Sequence, residues 1–364
     1  MWIVAGPGIF TRFSSFGVSV ISQAFVGHIG STELAAYALV STVLLRFANG
    51  IVAQSKNMII TYLAALSLSM HVFLSWLLTV KYKFGITGAM VSTILAYWIP
   101  NVGQLIFVLS GGCRETWKGF SFLAFEDLWP IVKLSLSSGA MLCLELWYDT
   151  ILILLTGNLK NAEVAIDALS ICLNINGWEM MISLGFLAAA SVRVSNELGS
   201  RNSKAAKFSI IVTVLTSLVI GLVLFVFFLF FRGRLAYIFT KSQDVAKAVA
   251  HLSPLLAFSI LLNSVQPVLS GVSIGAGLQS TIAYVNIGSY YIIGIPVGVV
   301  LGYVIKLQVE GVWIGMIFGT LVQTIILVII TSKTDWDKQV AIAHRRVNRW
   351  FVEAETGTNS RSTA

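Results

Sequence analysis

From Leu252 to Ile305 the chain passes through 54 consecutive residues without an Asp, Glu, Lys or Arg. A run of this kind belongs in hydrocarbon, where every backbone N–H and C=O must find its partner inside the segment. A spanning helix uses about 20 residues, so the run holds two helices joined by a short turn near Gly277. Further gaps lie between Lys56 and Lys81, Lys83 and Arg114, Lys207 and Arg232, and from Gly311 to Ser332. Four more apolar segments carry only a few charges: Trp2 to Phe25, Leu34 to Ala53, Leu128 to Thr156 and Val164 to Ala190. The sum is about ten spans. Barrel strands of about 9–11 alternating residues do not fit runs twice that long without alternation.

Only 11% of the residues are charged and 57% are hydrophobic, with mean hydropathy +0.85. A soluble domain has about 25% charged residues. Disordered chains, secreted disulfide scaffolds and ordinary cytosolic enzymes are therefore excluded. Cys113, Cys143 and Cys172 lack metal-ligand spacing and read as packing residues, and His28, His71, His251 and His344 form no cluster. No phosphate loop, zinc motif or nucleophile triad is present, so neither an enzyme nor a bound cofactor or metal is expected.

The net charge of +8 is mainly a topology signal. Arg114 and Lys118 follow the fourth span, Arg193, Arg201, Lys204 and Lys207 the sixth, and Lys333, Lys338, Arg345, Arg346 and Arg349 the tenth. The positive-inside rule makes that side cytoplasmic and places both termini there. The opposing loops hold Lys81, Lys83, Arg232, Arg234, Lys241 and Lys247, so the bias is a majority. With no basic face on a soluble fold, nucleic acid is not a partner. Trp2 to Phe25 lacks the basic flank and cleavage site of a signal peptide. Trp98, Trp117, Trp129, Tyr237 and Trp336 read as interface anchors, and Val340 to Val352 as an amphipathic surface stretch.

The chain also repeats itself. Gly27, Glu33, Ala35, Ala38 and Leu39 recur as Gly157, Glu163, Ala165, Ala168 and Leu169, at an offset of 130 residues. A weaker set pairs Gln54-Ser55 with Gln279-Ser280, Gly88 with Gly311, and Gln104 with Gln323, at about 220 to 225 residues. The offset thus grows by about 90 to 95 residues between Gly50 and Gln54. Two equivalent halves would share one offset, so the first half lacks a block equal to two spans. Internal repeats with a site near mid-membrane mark secondary transporters.

The sequence resembles the multidrug and toxic compound extrusion (MATE) transporters, in particular their plant branch. The resemblance rests on Gly6-Pro7, Val26 to Gly30 with Glu33-Leu34-Ala35, Gln54 to Asn57, Leu144 to Tyr148, Ala190 to Gly199, Val268 to Val272, and Gly275 with Gly277. It covers nearly the whole chain, and Arg193-Val-Ser-Asn-Glu-Leu-Gly199 is its most specific run. It implies twelve helices in two six-helix lobes, export coupled to inward proton or sodium flow, and organic, often aromatic or cationic, substrates. Its plant members handle flavonoids, alkaloids and other specialised metabolites at the vacuolar or plasma membrane. This chain departs from that pattern by lacking the third and fourth helices and the end of the second.

Ionisable side chains inside spans are functional candidates by default, because a central charge costs roughly 2.5–3.5 kcal/mol on insertion scales. Glu145 and Asp149 stand four apart on one face of the fifth span and form the leading proton-coupling pair, with Asp149 alternatively at the membrane surface. Glu145 also resembles the family's acidic residue in this helix. Asp167, near a loop, is read as either a coupling or an interfacial residue. Glu179 is deeper and could pair with Arg46 or Arg193, and Glu197 beside Arg193 reads as a salt bridge or cap steadying a cytoplasmic gate. Some family members have an acid at the position of Asn263, which leaves coupling here more dependent on Glu145. Tyr148, Asn174, Asn176, Asn263, Gln266 and Tyr290 could line a path for substrate or serve as polar glue between helices.

The expected organisation is an all-α polytopic membrane protein of two related bundles. Residues 1–120 form a four-span lobe with a deletion after about residue 50, residues 121–336 a six-span lobe, and residues 337–364 a cytoplasmic tail. The expected function is proton-coupled antiport, with sodium as the alternative ion, of a small organic substrate across a lipid bilayer. The competing expectation is a truncated, non-transporting isoform.

Overall fold

The computed structural model describes residues 2–27, 57–112, 129–156, 162–231, 234–240 and 242–345. Every regular element among them is helical, as the charge-free runs require. The chain divides into two compact units, Trp2–Ile131 and Val132–Ala364.

The first unit packs α1 (Trp2–Gly27), α2 (Asn57–Ser75) and α3 (Gly85–Phe107) against one another. α2 widens into a π-helical turn over Trp76–Lys81, and α3 does the same over Val108–Gly112. Hydroxyl groups tie the helices together. Thr61 donates to the Pro7 carbonyl at 3.2 Å, Ser67 donates to the Ala96 carbonyl, and the Ser75 and Ser92 hydroxyls meet at 2.8 Å. His71 is buried beside them, its Nδ1 3.4 Å from Ser75 Oγ. Such bonds contribute about 0.6 kcal/mol each in a membrane interior.

The second unit contains α4 (Trp129–Thr156), α5 (Ala162–Gly199), α6 (Ser203–Phe230), α7 (Gln243–Asn263) and α8 (Gln266–Gly275). Then come α9 (Gln279–Asn286), α10 (Ile295–Val299), α11 (Gln308–Lys333) and a short helix over 336–345. α6 shows why the unit suits lipid. Its inward face is small and polar: Ala206, Ser209, Thr213, Ser217 and Gly221 are buried. Its outward face is bulky and apolar, with Phe208, Ile211, Leu215, Val219, Val223, Val226 and Phe230 exposed. Small inward residues let backbones approach, and apolar outward residues match acyl chains.

Two described spans of the second unit are not simple helices. α7 and α8 together make the span Gln243–Gly275, broken at Ser264–Val265 just before Pro267, which has no N–H to continue the helix. The span Gln279–Val304 contains α9, a π-helical stretch Ile287–Gly294, α10 and a second π-helical stretch Val300–Val304. Pro296 explains the first stretch. Ahead of it the Ile295 N–H reaches back five residues to the Tyr290 carbonyl, the kind of adjustment that re-satisfies groups freed by an intramembrane proline. The turn expected near Gly277 is present, and Gly277 adopts φ +77°, which suits only glycine well.

Two rows of glycine at four-residue spacing meet where the span Gln279–Val304 packs on α11. A Cβ on Gly315 would lie 2.3 Å from the Gly298 backbone, and one on Gly311 2.5 Å from the Gly302 nitrogen. One on Gly319 would lie 3.2 Å from Gly294 Cα. This is backbone-to-backbone packing of the small-xxx-small kind.

Nine spans of the expected set are helices among the described residues; the tenth, Leu34 to Ala53, lies outside them, as does the junction between Gly50 and Gln54. Trp98, Trp129 and Tyr237 are exposed, as interface anchors are, and Trp117 is outside the described residues. Trp336 differs from its expected role. It is buried, and its indole N–H donates to the Thr331 carbonyl in the last turns of α11 at 3.3 Å.

Candidate functional site

The polar residues of the second unit gather into two groups within its apolar interior. The first is centred on the middle of α5. Asn263, the last residue of α7, donates from Nδ2 to Asn176 Oδ1 at 3.1 Å. One turn along α5, Glu179 Oε1 accepts from the Ser183 hydroxyl at 2.8 Å, and Glu179 is 5% exposed. Past the helix break, Gln266 Nε2 donates to Ser270 Oγ at 3.3 Å and is buried. Asn174 turns to its own helix and donates to the Ser170 carbonyl at 3.0 Å.

The second group joins α4 to the last two spans. The Tyr148 and Tyr290 rings stack with centroids 4.4 Å apart and planes 13° apart, and both side chains are buried. The Tyr148 ring needs the glycines opposite it: a Cβ at Gly294 would come within 2.6 Å of its hydroxyl. The Tyr290 hydroxyl donates to Gln323 Oε1, Gln323 Nε2 donates to Asn286 Oδ1 at 2.6 Å, and Asn286 Nδ2 donates to the Met141 carbonyl at 3.4 Å. Tyr291 donates to the Leu144 carbonyl at 2.8 Å. Glu145, next to Leu144 and half-buried, sits just past the middle of the 28-residue α4.

The other expected site residues fall as follows. Asp167 is exposed near the start of α5. The Asp149 side chain lies outside the described part of α4, as does Arg46. Arg193 pairs with Glu197 at 2.7 Å rather than with Glu179, and it also donates to Ser209 Oγ at 3.5 Å. The pair stands at i, i+4 with the arginine half-exposed, where such contacts contribute about 0.3–0.5 kcal/mol. A double-mutant cycle of Arg193→Ala and Glu197→Ala, read by thermal stability, is therefore expected to give a coupling of about that size.

Sequence reasoning brought out Asn176, Asn263, Tyr148 and Tyr290 but missed Asn286, and it noted Gln323 only as the counterpart of Gln104. The rule that singled out Asn263, an amide inside a charge-free run, would have found both. It also missed Trp313, whose indole N–H donates to Ser259 Oγ at 3.0 Å between α11 and α7. Trp313→Phe removes that donor and part of a buried ring, so it is expected to cost more than about 0.6 kcal/mol, the share of the hydrogen bond alone, measured as a drop in thermal midpoint.

Residues 138–300 match the family model MatE. Protein DETOXIFICATION 21 of Arabidopsis thaliana is 53% identical over 453 aligned positions that take in 100% of this chain and 92% of that protein. Protein DETOXIFICATION 20 of the same plant is 52% identical with the same coverage. An alignment of 453 positions against 364 residues leaves about ninety interior positions without a counterpart here, the shortfall that the repeat offsets anticipate. Among solved structures, the crystal structure of the eukaryotic MATE transporter AtDTX14 superposes with TM-score 0.84 at 26% identity, covering 95% of this chain and 98% of that one.

Proposed function

The chain belongs to the plant branch of the MATE transporter family, and from that premise we propose that it is a secondary antiporter that exchanges protons for a small organic solute. The observation that carries this reading is Glu145, a carboxyl group half-buried near the middle of α4, beside the backbone carbonyl that anchors Tyr291. A carboxyl group in such a place can carry a proton across the low-dielectric interior and exchange it for cargo. Protonation from the acidic side would repack α4 against the last two spans and release cargo; deprotonation on the cytoplasmic side would restore binding. One unit of pH difference is worth about 1.36 kcal/mol per proton, or about tenfold accumulation at one-to-one exchange.

In this reading both termini are cytoplasmic, and the membrane is the vacuolar or plasma membrane, where the far side is acidic. The Arg193–Glu197 pair, on the basic side, steadies the cytoplasmic gate. Asn174, Asn176, Asn263 and Gln266 supply polar contacts, and the Tyr148–Tyr290 stack backs them with aromatic surface. Residues 1–120, 121–336 and 337–364 serve as the short lobe, the complete lobe and the tail. The test is uptake into vesicles driven by a pH gradient: uptake that follows the gradient supports proton antiport, and uptake that follows sodium instead overturns it.

A second reading is favoured by one observation, the interior shortfall of about ninety positions. It makes the chain a shortened isoform that binds a full-length relative without transporting. Co-expression separates the two. A chain that moves no solute alone and co-purifies with a full-length relative is that isoform; a chain that transports by itself is the antiporter.

A further inference from the structure

We propose that Glu179 forms a second proton-binding site, level with the break between α7 and α8, that takes up one proton per transport cycle in addition to the one on Glu145. The inference rests on the proton-antiport reading above and adds a site to it.

Three packing contacts fix the level. Asn176 bonds Asn263; a Cβ on Gly271 would meet the Leu187 carbonyl at 2.4 Å, and one on Gly275 the Ser191 carbonyl at 2.6 Å. Residues 176 to 191 of α5 therefore run alongside residues 263 to 275, and Glu179 falls level with the turn Ser264–Val265. Glu179, Ser183, Leu187 and Ser191 follow one another every four residues and form one row along α5, whose Leu187 and Ser191 touch α8. Glu179 also lies in the middle third of the span Asp167–Gly199. Discontinuous helices near mid-membrane are where secondary transporters place their coupling ions.

The chemistry at that level selects the ion. Glu179 is almost fully buried, and while Oε1 accepts from Ser183, Oε2 has no hydrogen-bond partner among the described residues. A buried carboxylate with an unsatisfied oxygen is costly unless its charge is removed or matched. Among the described residues of the packed elements, nothing charged is close enough to match it. α8 has no ionisable side chain. On α7, Asp244, Lys247 and His251 stand at least twelve residues before Asn263, about 18 Å away. On α6, Lys204 and Lys207 lie in the first two turns. On α5 itself, Asp167 and Arg193 are twelve and fourteen residues away, about 18 and 21 Å, and Arg193 is paired with Glu197; Cys172 lies two turns off. The oxygens bonded together at Glu179, one carboxylate and one hydroxyl, are too few to strip a metal cation of its water. A proton on Oε2 needs no such shell: the O–H bond forms on one side of the membrane and breaks on the other.

The purified chain in liposomes, with voltage clamped to zero and ethidium as the transported probe, tests this under a one-unit pH gradient. Two protons per cycle set the ethidium ratio at zero net flux to about a hundredfold, and one proton sets it to about tenfold. Glu179→Gln is expected to drop the ratio from the first value to the second, and Glu179→Asp to restore it; a ratio unchanged in Glu179→Gln overturns the proposal. Loss of all accumulation in wild type would instead sink the antiport reading. The site is then decided by infrared difference spectra of the purified protein between two pH values. A protonated-carboxyl C=O band present in wild type and Glu145→Gln but missing in Glu179→Gln supports it, and identical bands in wild type and Glu179→Gln refute it.

Discussion

Glu145→Gln is expected to remove one coupled proton and lower pH-driven accumulation about tenfold per unit of pH, while leaving exchange of labelled for unlabelled solute in place. Glutamine keeps the volume and hydrogen-bonding shape of the side chain but cannot gain or lose a proton. The cycle can still present its binding site to either side, so downhill exchange persists; what disappears is the share of the gradient that the Glu145 proton contributes. In numbers, the ratio under a one-unit gradient falls about tenfold, from about a hundredfold to about tenfold with Glu179 still coupled, a loss of about 1.36 kcal/mol for the proton no longer carried. The measurement is the pH dependence of uptake in reconstituted vesicles. Accumulation that survives in Glu145→Gln at its full value would remove Glu145 from the coupling mechanism. The variant is expected to be folded, because an isosteric change of this kind keeps the volume of the side chain.

Gly315→Val is expected to prevent assembly of the second unit altogether. The first atom of any side chain at this position would sit 2.3 Å from both the Cα and the nitrogen of Gly298 and 2.9 Å from the Gly294 carbonyl oxygen. These are backbone atoms of a neighbouring helix, so no rotamer change relieves the overlap and the two spans must separate. Separation would also pull Gln323 from Tyr290 and Asn286. The cost is expected at or above about 3 kcal/mol, the upper end for overpacking. The readout is the fraction of detergent-extracted protein that runs as a monodisperse peak and its thermal midpoint. Gly288→Ala is the control: nothing among the described residues lies within 4 Å of a Cβ there, and the change is expected to stay within about 1 kcal/mol of wild type. A monodisperse Gly315→Val protein of normal stability would mean that the two spans are not in backbone contact.

The helical architecture was legible because charge is so expensive in lipid: the gaps between Lys207 and Arg232 and from Leu252 to Ile305 mark helices on their own. The turn at Gly277 was legible for a related reason, since a charge-free run too long for one helix must turn at a residue that tolerates positive φ. The Arg193–Glu197 pair follows from four-residue spacing. The break at Ser264–Val265 and the wide turns before Pro296 were not foreseen in detail, because a proline states where a backbone bond is lost and neighbouring helices decide how it is replaced. The glycine rows at 294, 298 and 302 and at 311, 315 and 319 were written in the sequence at regular spacing, yet glycine is so frequent here that spacing alone did not say which rows meet. Trp336 was misplaced because burial of an aromatic ring at a helix end depends on whether the chain turns back, which residue type does not reveal. Asn286 and Gln323 show the converse: their amides were visible, but only the fold shows that they close a chain from Tyr290 to the Met141 carbonyl.

The glycine rows also bear on how such a unit can move. Side chains between two helices act as a compliant layer that lets one tilt against the other; where bare backbones touch, that layer is missing. The final pair of membrane crossings is therefore a stiff strut, and rearrangement during a cycle is left to the parts joined by longer side chains and by the interrupted crossing at Ser264–Val265.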